Sequence, residues 1–478
     1  MLKRIGAEES GEFKAIASGT LPCGKPVIVN ADGTVSVVGE SSVSQAIGST
    51  ATYESASVGS DYNITFDSSN NKIVIAYRDG GNSNYGTAVV GTVSGTDITF
   101  GTPVVYKSSG AYENGATFDS SNNKVVVVYN TSSTGYAKVG TVSGTSISFG
   151  SEAQFDGNYT QSLVVGFDSN SNKVVLAFAD HGNNEYGAAV VGTVSGTSIS
   201  FGSATTFESA VVRGNSITFD SSNNKIVIAY QDAGNSNKGT AVVGTVSGTS
   251  ISFGTPVVFN DNSTYDHTGC AFDSANNKIV IAYRNNANSS LEAIVGTVSG
   301  TSISFGTAVV FEVNGYFTAV VYDSSVNRIV IGYKDASNNS YFAVQTGTIS
   351  GTSISFSNYT TNSQAGNRIF GTFDSNANKP VIAFTDNSND HGKAVVITTG
   401  YTSTNITSEN YIGIARSGAA SGAGAIIDTQ GAIADNLSGL TPGQSYFVQT
   451  DGTLGTTAAD PSVFAGTAVS ATKLIVKG

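Results

Sequence analysis

The chain has no tryptophan, one methionine, two cysteines, three histidines and seven prolines among its 478 residues. Each shortage excludes something. Cys23 and Cys270 fall in different organisational units, so they build neither a disulfide framework nor a thiolate metal site. Charged residues make up only 12% of the chain, which disfavours a helix-rich surface of Glu and Lys. The exterior must instead be Ser, Thr, Asn and Gly. Lys and Arg number 23 against 35 Asp and Glu, a net charge of −12. That balance argues against nucleic acid as a partner, because phosphate contact needs clustered basic side chains. No stretch approaches the ~18 consecutive apolar residues of a membrane span, so no membrane insertion is expected. The opening MLKRIGAEESGEFKAI is basic at its start but lacks the apolar core of a secretory signal.

What the chain does have is a repeat. Phe-Asp or Tyr-Asp followed by a Ser/Asn-rich turn recurs at Asp67, Asp119, Asp168, Asp220, Asp273, Asp323 and Asp374, spaced 49 to 53 residues apart. That period suits the blades of a propeller. In the first unit, NITFD (63–67) reads as strand a and SSNN as a turn. KIVIAYR (72–78) is strand b, GTAVVGTV (86–93) strand c, SGT a tight turn, and DITFGTPVVY (97–106) strand d, with Gly101 inviting a bulge. Gly, Asn, Asp and Ser bound every β-branched run, and nothing in the unit has a helical period. Seven such units predict an all-β fold: a seven-bladed β-propeller of four-stranded antiparallel blades, with small β modules at both termini. The aromatic before each Asp (Phe66, Phe118, Phe167, Phe219, Phe272, Tyr322, Phe373) is expected to fill the gap between adjacent blades.

The boundaries read as an N-terminal module over 1–40, the propeller over 41–408 and a C-terminal module over 409–478. Residues 37–55 echo the c–d part of a blade and are the favoured closing strand for the last blade, with 402–413 as the alternative. The ends also resemble each other. LPCGKPVIVNADGTV (21–35) and LTPGQSYFVQTDGTL (440–454) share Leu, Gly and Asp-Gly-Thr at the same offsets, and Asp-Gly between β-rich runs predicts a hairpin.

The closing stretch, from NYIGIARSG through LSGLTPGQSYFVQTDGTLGTTAADPSVFAGTAVSATKLIVKG, resembles the C-terminal module of tail-fibre and other virion appendage proteins of marine tailed bacteriophages. FDSSNNKIVIAYRD and VVGTVSGTSISFG resemble the propeller units found ahead of that module. The resemblance implies a non-enzymatic virion part: a tail fibre or appendage, made in the host cytoplasm, that presents a propeller face for host attachment. The implied partners are other virion proteins, through the terminal modules, and a host surface glycan or protein. A homo-oligomer is compatible with it.

The search for chemistry is mostly negative. His181, His267 and His391 occupy loops of different blades, without the spacing of a zinc site or a Ser-His-Asp arrangement. No phosphate-binding glycine loop occurs in a strand-to-helix context, and no cofactor is expected. The repeated Asp reads as a turn-former. A second pattern, Asp-x-x-Asn at Asp79, Asp180, Asp232, Asp335 and Asp386, reads as Asx turns in the b–c loops, with calcium as the alternative. A polysaccharide-degrading hydrolase is a further alternative. Arg78, Arg213, Arg284 and Arg368 lie in or beside loops on one side, but a glycosidase also needs two carboxylates at a defined separation.

In a propeller the a–b and c–d turns lie on one face, and the b–c loops and d–a crossovers on the other. Here the first set barely varies and the second diverges strongly. Divergent crossovers carrying Tyr112, Tyr159, Arg213, Tyr265, Asp266, His267, Tyr316, Phe317 and Arg368 therefore mark the candidate ligand-binding face. Tyr rings stack on sugar C–H faces while amides and carboxylates bond hydroxyls, so a glycan is a fitting ligand. A lectin-like bacterial surface adhesin would use the same face.

Overall fold

The computed structural model describes residues 11–58, 62–265 and 267–477. The chain divides into two compact units, residues 44–400 and residues 1–43 with 401–478.

Residues 44–400 form seven four-stranded antiparallel blades. In blade 1, strand a (Tyr62–Asp67) pairs with b (Lys72–Asp79), and b with c (Tyr85–Ser94). Strand c then pairs with both segments of a broken d strand, Asp97–Phe100 and Val104–Gly110. The break falls at Gly101, where the sequence invites a bulge. Two d strands run on without interruption into strand a of the next blade, as Thr205–Asp220 and Ser353–Asp374. Each a strand neighbours the next around the axis, and that of blade 7 neighbours Tyr62–Asp67 of blade 1, so the circle is complete.

Closure uses the N-terminal part of the chain. Strand c of blade 7 (His391–Thr398) has no d strand downstream. Ala46–Ile47 and Ala51–Ser57 pair with it instead, with Ile47 opposite Ile397 and Ala51 opposite Ala394. The alternative segment is engaged elsewhere, since Tyr401–Thr404 pairs with Glu40–Val43. The same pairing moves the boundaries from 40/41 and 408/409 to 43/44 and 400/401.

Packing follows from strand alternation. On strand b of blade 1, Ile73, Ile75 and Tyr77 join a cluster with Val381 and Ala383 of blade 7. Val74 and Ala76, facing the other way, pack on Val125, Val127 and Tyr129 of blade 2. Both faces of the strand are therefore buried, and burying each such Val or Ile contributes roughly 1.5–3 kcal/mol. The repeated aromatics join these inter-blade clusters, as Phe118 does between blades 1 and 2. Several are only half-buried, because Phe219, Phe272, Tyr322 and Phe373 also line a pocket near the turns that end the a strands.

Two repeated devices hold the turn face. The aspartate ending each a strand is 1–2% exposed. Asp67 Oδ1 accepts from the N–H groups of Ser69 (2.9 Å) and Asn70 (3.0 Å), and the same two bonds recur at five of the other six aspartates. Asp323 Oδ1 accepts from Ser325 N–H (3.0 Å) and from Ser325 Oγ, and Thr399 Oγ1 donates to its Oδ2. The second device is a close blade-to-blade approach at glycine. A Cβ on Gly202 would stand 2.0 Å from the Thr249 carbonyl oxygen of the next blade, and Gly48 meets Thr96 the same way at the closing seam.

In the terminal unit both ends of the chain share one sheet, in the order Glu12–Ile16, Gly424–Asp428, Tyr411–Ala415, Pro26–Val29 and Val35–Val37. The two modules read separately from the sequence are thus one unit, joined through this shared sheet. Arg416 ties them, at 2.7 Å from both Glu12 and Asp428. A second sheet is built from 433–476. The two Asp-Gly-Thr segments form equivalent turns, with Asp32 accepting from Thr34 N–H and Asp451 from Thr453 N–H.

Candidate functional site

A cavity of about 340 Å³ opens where the seven a strands begin, on the side of the d–a crossovers. Every blade contributes to its wall: Tyr62 and Asn63, Glu113 and Asn114, Gln161 to Val164, Arg213 to Asn215, His267 and Thr268, Phe317 and Thr318, Arg368 to Phe370. The volume is that of a small-ligand site.

A backbone device sets the wall. Six residues before the repeated Asp, strand a bulges, with register shifts at Tyr112/Gly115, Gln161/Val164, Arg213/Ser216, Tyr316/Ala319 and Asn367/Ile369. The bulged residues are left-handed: Glu113 (φ 51°), Ser162 (54°), Gly214 (56°), Phe317 (53°) and Arg368 (45°). Such a φ suits glycine but costs a bulky side chain about 1–3 kcal/mol. All five line the cavity, and re-aiming a side chain is what a bulge achieves.

The nine sequence candidates separate as follows. Arg213, His267, Phe317 and Arg368 line the cavity. Tyr265 and Tyr316 sit behind them. Tyr265 stacks on His267 (5.4 Å, 21°), meets Tyr316 edge-on (5.6 Å), and His267 meets Phe317 edge-on (4.7 Å). Tyr112 lies apart, under the Arg78 guanidinium at 5.1 Å. Tyr159 packs edge-on against His181 (5.1 Å) and reaches the wall only indirectly. His181 Nε2 is 3.8 Å from Glu185, whose other oxygen holds Arg213 at 2.7 Å. Gln161 Oε1 accepts from the same guanidinium at 3.0 Å. Asp266 lies outside the described residues.

Sequence reading missed Glu113, Gln161, Asn215 and Lys334. Asn215 is 7% exposed; its Nδ2 donates to the Ser162 carbonyl, while its Oδ1 has no hydrogen-bond partner among the described residues. Lys334 stands near the end of strand b, where a Lys after a run of buried residues reads as a strand end, yet its ammonium is 6.0 Å from the Tyr316 ring and 5.9 Å from Phe317. Burial lowers its pKa.

The b–c loops carry their Asp side chains as Asx turns. Asp79 accepts from Asn82 N–H (3.1 Å), Asp180 from Gly182 N–H (2.8 Å) and Asp232 from Asn235 N–H (3.1 Å). Among the described residues no group of three or more His, Cys, Asp or Glu is placed to hold a metal ion. Among those lining the cavity, Glu113 is the one carboxylate.

No family model and no curated protein matches the chain. Solved structures similar to it include the periplasmic gluconolactonase of Pseudomonas aeruginosa (10% identity, 72% of this chain and 95% of that one, TM-score 0.46). The NanB sialidase of Streptococcus pneumoniae is similar at 11% identity, 73% and 69% coverage and TM-score 0.42. The Aleuria aurantia lectin, solved with Fucα1-6GlcNAc, follows at 12%, 64% and 97%, and 0.43. With TM-scores below 0.5, these likenesses carry no argument about the chain. The chain is an all-β propeller protein.

Proposed function

We propose that the chain is a non-enzymatic, lectin-like binding protein whose axial cavity takes part of a glycan. The observation that carries this reading is the bulge. Several blades hold a non-glycine residue at a strained left-handed φ, and each such side chain lines one shared cavity. Strain of that kind is retained where the position serves a purpose other than stability. The wall joins a ring face, Phe317, with amides and cations, which is the chemistry of a saccharide site.

In this reading the protein sits on a phage particle, a setting supported by the terminal and repeat phrases that resemble virion appendages. Immunogold labelling of purified particles tests that setting, and label absent from every particle overturns it.

The binding claim is tested with Phe317→Gly. Glycine accepts the left-handed φ freely, so the variant folds while losing the ring. On a glycan array the native chain binds, F317G binds about tenfold less, and circular dichroism of the two agrees. Release of reducing ends from any bound glycan would overturn the non-enzymatic reading, and undiminished binding by F317G would remove the cavity from it.

A further inference from the structure

Around the cavity rim, blades 5 to 7 set three cations among aromatic rings. Arg284, near the end of strand b of blade 5, lies 4.3 Å from the Tyr316 ring and 5.9 Å from Tyr265. Lys334 holds the equivalent position on blade 6, between Tyr316 and Phe317. Arg368, on blade 7, is 5.8 Å from the Phe317 ring.

None of the three is paired with a carboxylate among the described residues. Arg284 donates to Asn286 Oδ1 (2.6 Å) and Tyr316 Oη (3.2 Å), and its buried Nε finds no acceptor among the described residues. Four other cations of the chain are ion-paired: Arg213 with Glu185, Lys107 with Glu152, Lys238 with Asp261, and Arg416 with Glu12 and Asp428. In a chain with net charge −12, three neighbouring cations without an ion-paired acid among the described residues form a local excess of positive charge. Crowded like charges that are partly desolvated repel one another, and an anion relieves that repulsion.

The surroundings narrow the anion. Rings beside the cations offer faces for stacking. Across the same cavity, the unpartnered Asn215 Oδ1 needs a donor, which a sugar hydroxyl supplies and a bare inorganic anion does not. We propose that this rim binds the carboxylate of an acidic saccharide, with Arg284, Lys334 and Arg368 around the anion and the Tyr316 and Phe317 rings against the sugar. The inference rests on the glycan-binding reading and adds the ligand class to it.

The test uses the full chain on an array of uronic-acid glycans, their carboxyl-reduced counterparts and sulfated neutral glycans. Binding to uronates is expected to fall about tenfold on carboxyl reduction, and by a similar factor in Lys334→Gln and Arg368→Gln. Arg368→Gly guards against misfolding, since glycine relieves the left-handed φ, and it is expected to lose uronate binding equally. Equal binding of acidic and reduced glycans, unchanged in the variants, overturns this inference while leaving glycan binding intact. Binding to sulfated glycans but not to uronates overturns the carboxylate assignment. Binding to no glycan overturns both readings.

Discussion

At the scale of single residues, the chain places acids where their charge is unwelcome. Glu208 accepts from the Tyr230 hydroxyl at 3.0 Å across the seam between blades 3 and 4. Burial, as the largest cause, raises its pKa; the Tyr230 bond lowers it less, and Asp232 adds to the rise. A carboxyl raised in the folded state favours the protonated fold. Its contribution to stability is fully present below the unfolded value and is lost as pH rises through the folded one. Glu208→Gln keeps an acceptor for Tyr230 without the charge. The variant should melt above the native chain at pH 7, and the gap should close as pH falls through the raised Glu208 value, as followed by calorimetry at several pH values. The left-handed bulge, by contrast, was hidden from sequence reading. Gly214 alone among the five residues signals such a φ, while Phe317 and Arg368 read as ordinary loop residues. Lys334 was hidden for a related reason: a Lys in a run of buried β-branched residues looks like a strand end.

At the scale of elements, the repeated turns were the most legible part of the chain. Seven copies of one Asp, each before Ser, carry their own statistics, and a buried turn-former accounts for all of them. Asp220 illustrates the energetics. It accepts from Ser222 N–H, Asn223 N–H and Asn223 Nδ2 at 2.9–3.0 Å. Asp220→Ala leaves the two backbone donors unsatisfied and should cost about 1–3 kcal/mol in urea unfolding, with Asp220→Asn milder. Because that turn lies at the opposite end of strand a from the cavity, glycan binding by the folded variant should be unchanged. The crossovers were legible only as divergent. Periodicity says nothing about which divergent side chains converge, so Tyr112 and Tyr159 were grouped with residues they do not join.

For the propeller as a whole, the circular order of the a strands and the closing pair between residues 46–57 and strand c of blade 7 make one continuous structure. The weak echo of a c–d segment in residues 37–55 was enough to favour that closure. The boundaries were harder to read, because Glu40–Val43 and Tyr401–Thr404 pair only through long-range contact. If the seam is as firm as the other blades, amide hydrogens of Ala51–Ser57 should exchange as slowly as those of the other d strands. Fast, fraying exchange confined to that segment would contradict an equal seam.

The closing pair has a consequence for how the chain is made. Thr52 and its partner Lys393 are 341 residues apart. At about 5–20 residues per second on the ribosome, the early segment waits roughly 20–70 s for its mate. Through that interval six blades can assemble while one strand stays without its ladder. The sequence ATYESAS suits the delay: apart from Tyr53 it is polar or small, a poor nucleus for sticking to a neighbouring nascent chain.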